Sequence, residues 1–278
     1  MSAAPALLLA LLLVCTAGPL AAHTQEPLWE LGLGVTTLSF PDYRGSDHQR
    51  AYVLPMPYFV YRGKIFQADR DGLRGVFYDT DFAELNLSVA ASLPVDSDGN
   101  EARRGMPDID PTFEIGPSLE LHLWRSADRR FQLDLRLPAR MAIAVGDGLH
   151  DAGLVFTPLI NLDVNDPVGW EGWNLGLLVG AIYGNRRQNA YFYDVPEAYA
   201  TPERPAYSAD GGYGGVKFIA AVSKRFDRYW VGGFARYDTL TGAVFADSPL
   251  VRQDSAWAAG IGIAWILGRS SKTVPAFD

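Results

Sequence analysis

Histidine and acidic side chains are the first candidates for chemistry in this chain of 278 residues. No histidine has the spacing to another histidine or to a cysteine that metal ligands show. The histidines are His23, His48, His122 and His150. In "GDGLHD", residues 146–151, Asp147, His150 and Asp151 could provide general base help to a hydrolase. Nothing fixes a nucleophile there, so we expect that the protein is not an enzyme, and a hydrolase is the least favoured alternative. We also expect no metal and no cofactor.

A second group of charged residues alternates with apolar ones. In "FQLDLRLPARMAIAV", residues 131–145, Asp134, Arg136 and Arg140 lie between apolar neighbours. This two-residue period is typical of a β-strand, whose successive side chains point to opposite faces. The pattern recurs along the chain and predicts an all-β protein of one domain. The other segments are 28–38, 51–62, 82–93, 112–124, 154–164, 173–183, 213–223, 229–238 and 256–267.

The connections indicate an antiparallel up-and-down order. Longer and shorter gaps mostly alternate, and an even number of strands places both termini on one side, as in an outer-membrane barrel. The sequence predicts a transmembrane β-barrel of about ten strands. The gap 63–81 is long where a short turn is expected, and its "KIFQAD" and "GLRGVFY" could add a hairpin, so twelve strands is the alternative.

The N-terminus has the features of an export signal. "LLLALLLV" begins at Leu7, and cleavage after Ala22 would leave a mature domain of residues 23–278. A lipid anchor at Cys15 is an alternative. After Ala22 no apolar run is long enough for a membrane helix. The net charge is −8 and no basic run is present, which excludes nucleic acid as the expected partner.

The alternation leaves open which face meets lipid. A soluble barrel would bury its apolar face. However, aromatic residues crowd the strand ends beside the short turns, and five apolar faces carry no charge, those of 83–93, 113–123, 131–145, 154–164 and 173–183. Aromatic side chains favour the membrane boundary. We therefore expect outer-membrane lipid outside and the bacterial outer membrane as the location. The aromatic residues are Trp124, Phe131, Trp170, Trp173, Phe226, Tyr229 and Trp230.

The polar face would then line the lumen. Both signs of charge occur on it, so the residues can pair with one another, and we expect a salt-bridged narrow lumen rather than a wide pore. The predicted lumen residues are Glu30, Glu84, Glu114, Glu120, His122, Asp134, Arg136, Arg140, Asp163, Lys217, Arg236 and Asp238. The long connection 184–212 is rich in tyrosine and is expected to fold over the mouth or to meet a partner.

Three segments resemble one family. "PDYRGSD" at 41–47, "VLPMPYFVYR" at 53–62 and "RPAYSADGGYGG" at 204–215 are similar to the MipA/OmpV family of outer-membrane proteins. The resemblance covers essentially the whole mature chain. It implies an outer-membrane barrel without catalytic residues and, from the namesake MltA-interacting protein, a scaffold that joins a murein hydrolase and a murein synthase. The chain departs from such barrels at its end, where "GRSSKTVPAFD" follows the last strand.

The resemblance favours a non-enzymatic scaffold for peptidoglycan synthesis and turnover. The alternatives are a small-solute channel and an adhesin-type barrel. A scaffold needs a periplasmic contact surface, for which the segment 63–81 is the candidate.

Overall fold

The structure, a computed structural model, describes residues 25–63, 66–69 and 72–275. The predicted signal segment 1–22 and Cys15 lie outside the described residues. Within these ranges the chain forms fifteen strands and one α-helix. They are β1 (Gln25–Pro27), β2 (Trp29–Pro41), β3 (Gln49–Arg62), β4 (Phe66–Asp69), β5 (Gly72–Asp79), β6 (Ala83–Ala91), β7 (Thr112–Arg125), β8 (Phe131–Val145), β9 (Leu149–Phe156), β10 (Leu159–Asn165), β11 (Trp173–Gly184), α1 (Arg186–Tyr193), β12 (Gly212–Arg225), β13 (Tyr229–Thr239), β14 (Ser255–Arg269) and β15 (Thr273–Pro275).

Thirteen strands, β2 to β14, pair antiparallel in one sheet. β9 and β10 follow one another across Thr157 and Pro158, and both lie between β8 and β11. β9 and β10 therefore act as two halves of one wall strand, and the wall has twelve strands. Because β10 pairs with β8 on one side and β11 on the other, the pairings return to the strand from which they began. The prediction of an all-β antiparallel membrane barrel is confirmed.

The predicted count of about ten strands is wrong, and the alternative of twelve is the one found. The connection 63–81 contains β4 and β5, which pair as a hairpin and join β3 to β6. β4 has only four residues, so its alternation is too short to be recognised as a strand. The segment proposed as a free contact surface is therefore part of the wall.

β3 shows why two prolines are tolerated within a wall strand. Pro55 and Pro57 pair with β2, whereas the described pairs of β3 with β4 are limited to Tyr61 and Arg62. Since proline has no N–H to donate, it fits a strand position that has a paired neighbour on one side only.

The two ends of the barrel differ in their connections. Short turns lie at the end that also holds the termini, where β1 and β15 pair as a small separate ribbon. The longer loops, 42–48, 92–111, 185–211 and 240–254, lie at the opposite end. In outer-membrane barrels the short turns are periplasmic and the long loops extracellular. We call these the inner and outer ends. None of the helices in the described ranges has both the length and the apolar character needed to cross a membrane.

The outer face of the wall is apolar and exposed. On β14 the exposed side chains alternate with buried alanines and glycines, and Ile261 is 69% and Leu267 is 75% exposed. Aliphatic and aromatic residues exposed in this way require lipid around them. The apolar face of the wall is thus the lipid-facing one wherever the structure describes its exposure.

The lipid-facing assignment predicts a depth-dependent cost of charge. We expect Ile261→Arg, near the middle of β14, to lower the free energy of unfolding by about 2–4 kcal/mol in lipid vesicles, because the guanidinium would enter the bilayer centre. Leu267→Arg, on the same face near the inner boundary, should cost about 0–1 kcal/mol. Urea unfolding of both variants measures the difference, and equal costs at the two depths would contradict the assignment.

Candidate functional site: a charged lumen under a loop lid

The polar face of the wall lies inside the barrel. Glu30 on β2 and Arg225 on β12 belong to strands separated by two others, yet their side chains approach to 2.9 Å. Such contacts are made across the concave side of the closed sheet. None of the predicted lumen residues is exposed, and Asp134 is completely buried.

A three-residue ion-pair chain crosses the middle of this face. Glu120 on β7 and Arg136 on β8 are cross-strand partners, and Arg136 Nε lies 3.2 Å from Glu120 Oε2. On its other side, Arg136 Nη2 lies 3.9 Å from Asp163 Oδ2 on β10. Asp163 also accepts a hydrogen bond of 2.5 Å from Asn161 Nδ2. One guanidinium therefore links two buried carboxylates from strands on either side of it.

His122 and Asp134 form a second cross-strand pair on β7 and β8. His122 Nδ1 lies 2.9 Å from Asp134 Oδ1, and Gln132 Nε2 donates to both Asp134 oxygens. With Glu120 these groups place three metal-type ligand atoms within 4.8 Å of one another, a grouping that the spacing of the histidines did not indicate. Since Glu120 also faces Arg136 and Asp134 is held by Gln132, the arrangement has the contacts of an ion-paired network.

Nearer the outer end, Arg140 on β8 joins three strands. Its Nε donates to Glu114 Oε2 on β7 at 3.0 Å, and its Nη1 donates to Ser88 Oγ on β6 at 3.1 Å. On β6, Asn86 Nδ2 donates to Glu84 Oε1 at 2.7 Å. Arg236 on β13 pairs with Asp238 two residues later, with Nε 2.7 Å from Oδ2.

Glu30 is the centre of a cluster at the inner end whose members come from three strands, β2, β3 and β12. It is completely buried, and Arg225 Nε donates to both of its oxygens, at 3.1 and 2.9 Å. Tyr58 Oη donates to it at 3.4 Å, and Arg62 Nη1 lies 3.6 Å away. Arg225 continues the alternation of Lys217 along β12, so the register could have revealed it.

A cavity of about 400 Å³ lies in the lumen. Arg136, Asn161 and Asp163 form its polar side, and Trp230 and Phe234 contribute aromatic surface. The prediction that Trp230 belongs to the boundary aromatics is wrong. Its neighbour Tyr229 takes the outer face, so the alternation of β13 turns Trp230 inward, against Tyr58.

The outer mouth is covered by four loops with their own hydrophobic core, which we call the lid: residues 42–48, 92–111, 185–211 and 240–254. Tyr193 and Phe245 stack at its centre, with ring centroids 3.7 Å apart. The tyrosines predicted to fold over the mouth do so. The core consists of Tyr43, Val95, Met106, Ile109, Tyr193, Val195, Ala209, Leu240, Ala243, Phe245 and Leu250.

Buried polar contacts connect the loops of the lid. Asp42 accepts hydrogen bonds from Arg50 Nε at 2.5 Å and from Asn100 Nδ2 at 2.8 Å. Arg103, 4% exposed, donates to Pro107 O and to Ser97 Oγ. Burial lowers the pKa of Arg103 and raises that of Tyr193. The lid is thus a folded unit rather than a set of solvated loops.

The acid–histidine group weighed as a hydrolase site lies outside this interior. Asp147, His150 and Asp151 are all exposed at the outer end. Asp151 forms an ion pair with Arg187 of α1 and accepts a hydrogen bond from Gly153 N. The arrangement fastens α1 to the rim of the wall.

Removing the buried carboxylate at the inner end should be costly. We expect Glu30→Ala to lower the free energy of unfolding by about 3–5 kcal/mol, because it leaves Arg225 and Arg62 without their buried partner. Glu203→Ala, exposed in the lid, should change it by less than about 0.5 kcal/mol. Urea titration of the folded barrel in detergent measures the free energy of unfolding of both variants. Similar losses in the two would argue against an ion-paired interior.

The lid should loosen when its stacked pair is broken. Phe245→Ala removes a side chain that is 1% exposed, at a cost of about 3–5 kcal/mol. We expect trypsin to cut after Arg103 faster in this variant, because Arg103 is buried and held by carbonyls that belong to the lid. Val244→Ala, half-exposed in the same loop, is the control. Unchanged cleavage in Phe245→Ala would show that the lid does not fold around this pair.

Comparisons with known proteins match this architecture. The family model described as "MltA-interacting protein MipA" matches residues 33–267. Outer membrane protein OmpV of Vibrio cholerae is 24% identical over 214 residues, covering 74% of this chain and 76% of OmpV. Outer membrane protein Omp26La of Vibrio anguillarum is 23% identical over 253 residues, covering 87% of this chain and 88% of Omp26La.

Among solved structures, a bacterial polysaccharide outer membrane secretin aligns with a TM-score of 0.44 and 6% identity, covering 86% of this chain and 99% of the secretin. The family match spans the wall from β2 to β14, and both relatives are named for the outer membrane. The chain is an outer-membrane protein and belongs to the MltA-interacting protein (MipA) family, the family of OmpV.

Proposed function

We propose that this protein is a non-enzymatic scaffold that holds a murein hydrolase, and with it a murein synthase, against the inner end of the barrel. The observation that carries the proposal is a strained, exposed apolar residue on an inner turn, Val168. The family description, which names an interaction with the murein enzyme MltA, supplies the class of partner.

Val168 has an unusual backbone conformation for its residue type. Its φ and ψ are 54° and 25°, in the left-handed region, although a β-branched side chain is strongly disfavoured there. Its side chain is 94% exposed. A strain of about 1–3 kcal/mol persists only where the surrounding contacts impose it, and such residues cluster at binding sites.

The turn that carries Val168 is pinned on both sides. Arg130 Nη2 donates to Asp166 O at 2.5 Å, and Gly172 N donates to Asp166 Oδ1 at 2.5 Å. Trp170 N closes the turn by donating to Pro167 O. A rigid apolar projection of this kind loses little conformational freedom when a partner covers it.

The closed interior supports a scaffold over a channel. The lid covers the outer mouth, and ion pairs cross the lumen beneath it. Solute passage would require the lid and the ion pairs to rearrange, whereas docking of a partner at an inner turn requires no change in either.

Binding of a purified lytic transglycosylase tests the proposal. We expect Val168→Asn to reduce its capture by immobilised barrel about tenfold or more, because the apolar contact is lost, while stability is unchanged or raised by about 1 kcal/mol, since asparagine accepts this conformation. Val244→Asn, in the outer lid, should capture as the unaltered protein does. Full capture by Val168→Asn would remove this turn as the docking site.

A further inference from the structure

Four cationic side chains meet in the outer part of the lumen, directly under the lid. Arg140, Lys217 and Arg236 come from the wall, and Arg44 reaches in from the loop 42–48. We call these four the basic cluster. Lys217 lies within electrostatic range of each of the other three and of Asp238.

Two carboxylates accompany the basic cluster, and both are already engaged. Asp238, 4% exposed, receives Arg44 Nε at 3.2 Å and Arg236 Nη2 at 2.8 Å. Glu114 receives Arg140. Among the described residues, the four cations have two carboxylates beside them, which leaves two positive charges without a carboxylate of their own.

Lys217 is the member with the least compensation. It is the cross-strand partner of Asp238, whose oxygens are taken by the two arginines. On its other side the partner across the ladder is Gly180, which contributes no side chain. Within the part of the chain that the structure describes, Lys217 forms neither a hydrogen bond nor an ion pair. An ammonium among three guanidiniums in a confined lumen is costly without an anion.

Arg44 provides a second, independent sign of a missing partner. Its Nη2 is buried and has no hydrogen-bond partner among the described residues. Its Nε is fixed by Asp238, and its own carbonyl accepts a hydrogen bond from Tyr193 Oη of the lid at 2.9 Å. The guanidinium is therefore held in place while its buried Nη2 has no acceptor among the described residues.

The lumen cavity begins one to two inward strand positions from the basic cluster, although none of the four cations lines it. Phe234, which lines the cavity, precedes Arg236 by one inward position on β13, and Ala221 lies two inward positions from Lys217 on β12. The lid closes the outer side. A ligand whose charged group lies beneath the lid would extend towards this cavity.

We propose that the basic cluster is a binding site for a small anion bearing a phosphate or carboxylate group. Lys217 and the free donor of Arg44 contact its oxygens, and Arg140 and Arg236 supply further positive charge. Charge-assisted hydrogen bonds of this type are the strong ones in a partly dry interior.

Binding of inorganic phosphate and of acetate to the purified full barrel in neutral detergent tests this site. At constant ionic strength set with sodium chloride, we expect at least one of the two anions to raise the unfolding temperature of the unaltered protein. Lys217→Met should weaken that binding about tenfold or more, and Lys217→Arg should retain it. Lys224→Met, on the outer face of the same strand, is the matched control and should bind normally.

The same variants separate a ligand site from a merely structural lysine. Without added anion, Lys217→Met should unfold at a higher temperature than the unaltered protein, because an uncompensated charge is gone. With the anion present, that advantage should shrink or reverse. Failure of both anions to shift the unaltered protein, or an equal shift in Lys217→Met, would overturn the proposal.

Discussion

The structure depends on one constraint, that every backbone N–H and C=O within hydrocarbon must find its partner inside the protein. A sheet satisfies it only when its last strand pairs with its first. Here β10 provides that step, because it pairs over its whole length with β11 and over most of it with β8. The apolar outer face follows, since the same wall must be solvated by lipid on one side and by protein on the other.

A closed wall of twelve strands encloses more space than a few aliphatic side chains would fill. Charged side chains occupy this space. Some pair between neighbouring strands, as Glu120 does with Arg136, and others meet across the lumen, as Glu30 does with Arg225. Buried charges of this kind need partners with good geometry. The lumen is correspondingly polar and crowded in its middle, with a cavity of about 400 Å³ remaining against Trp230 and Phe234.

The two ends of the barrel have different chemistry. At the outer end the loops bury an aromatic core and hold it with Asp42, Arg103 and Arg204, so the mouth is covered by folded structure. At the inner end the connections are short, and the turn 166–172 holds Val168 out in a strained conformation. A covered outer mouth and an exposed apolar residue at the inner end fit a protein that acts on the periplasmic side, as proposed for this member of the MipA family. The uncompensated charge under the lid, at Lys217, adds an interior site that is independent of that surface.

The sequence by itself determined the strand type and the face of most residues. Alternation is a local property of a pleated chain, so Asp134, Arg136 and Arg140 could be placed on the polar side from their spacing alone. It did not determine the strand count, because four residues of β4 carry too little alternation to be distinguished from a loop.

Partners were decided only by the tertiary structure. Which carboxylate meets which cation depends on the register between strands and on the curvature that brings β2 opposite β12, and neither is encoded within a single segment. The same holds for Lys217 and Arg44. The lack of a partner for Lys217 and for Nη2 of Arg44 is a property of the closed barrel and its lid, since it arises only when side chains distant in sequence share one confined space.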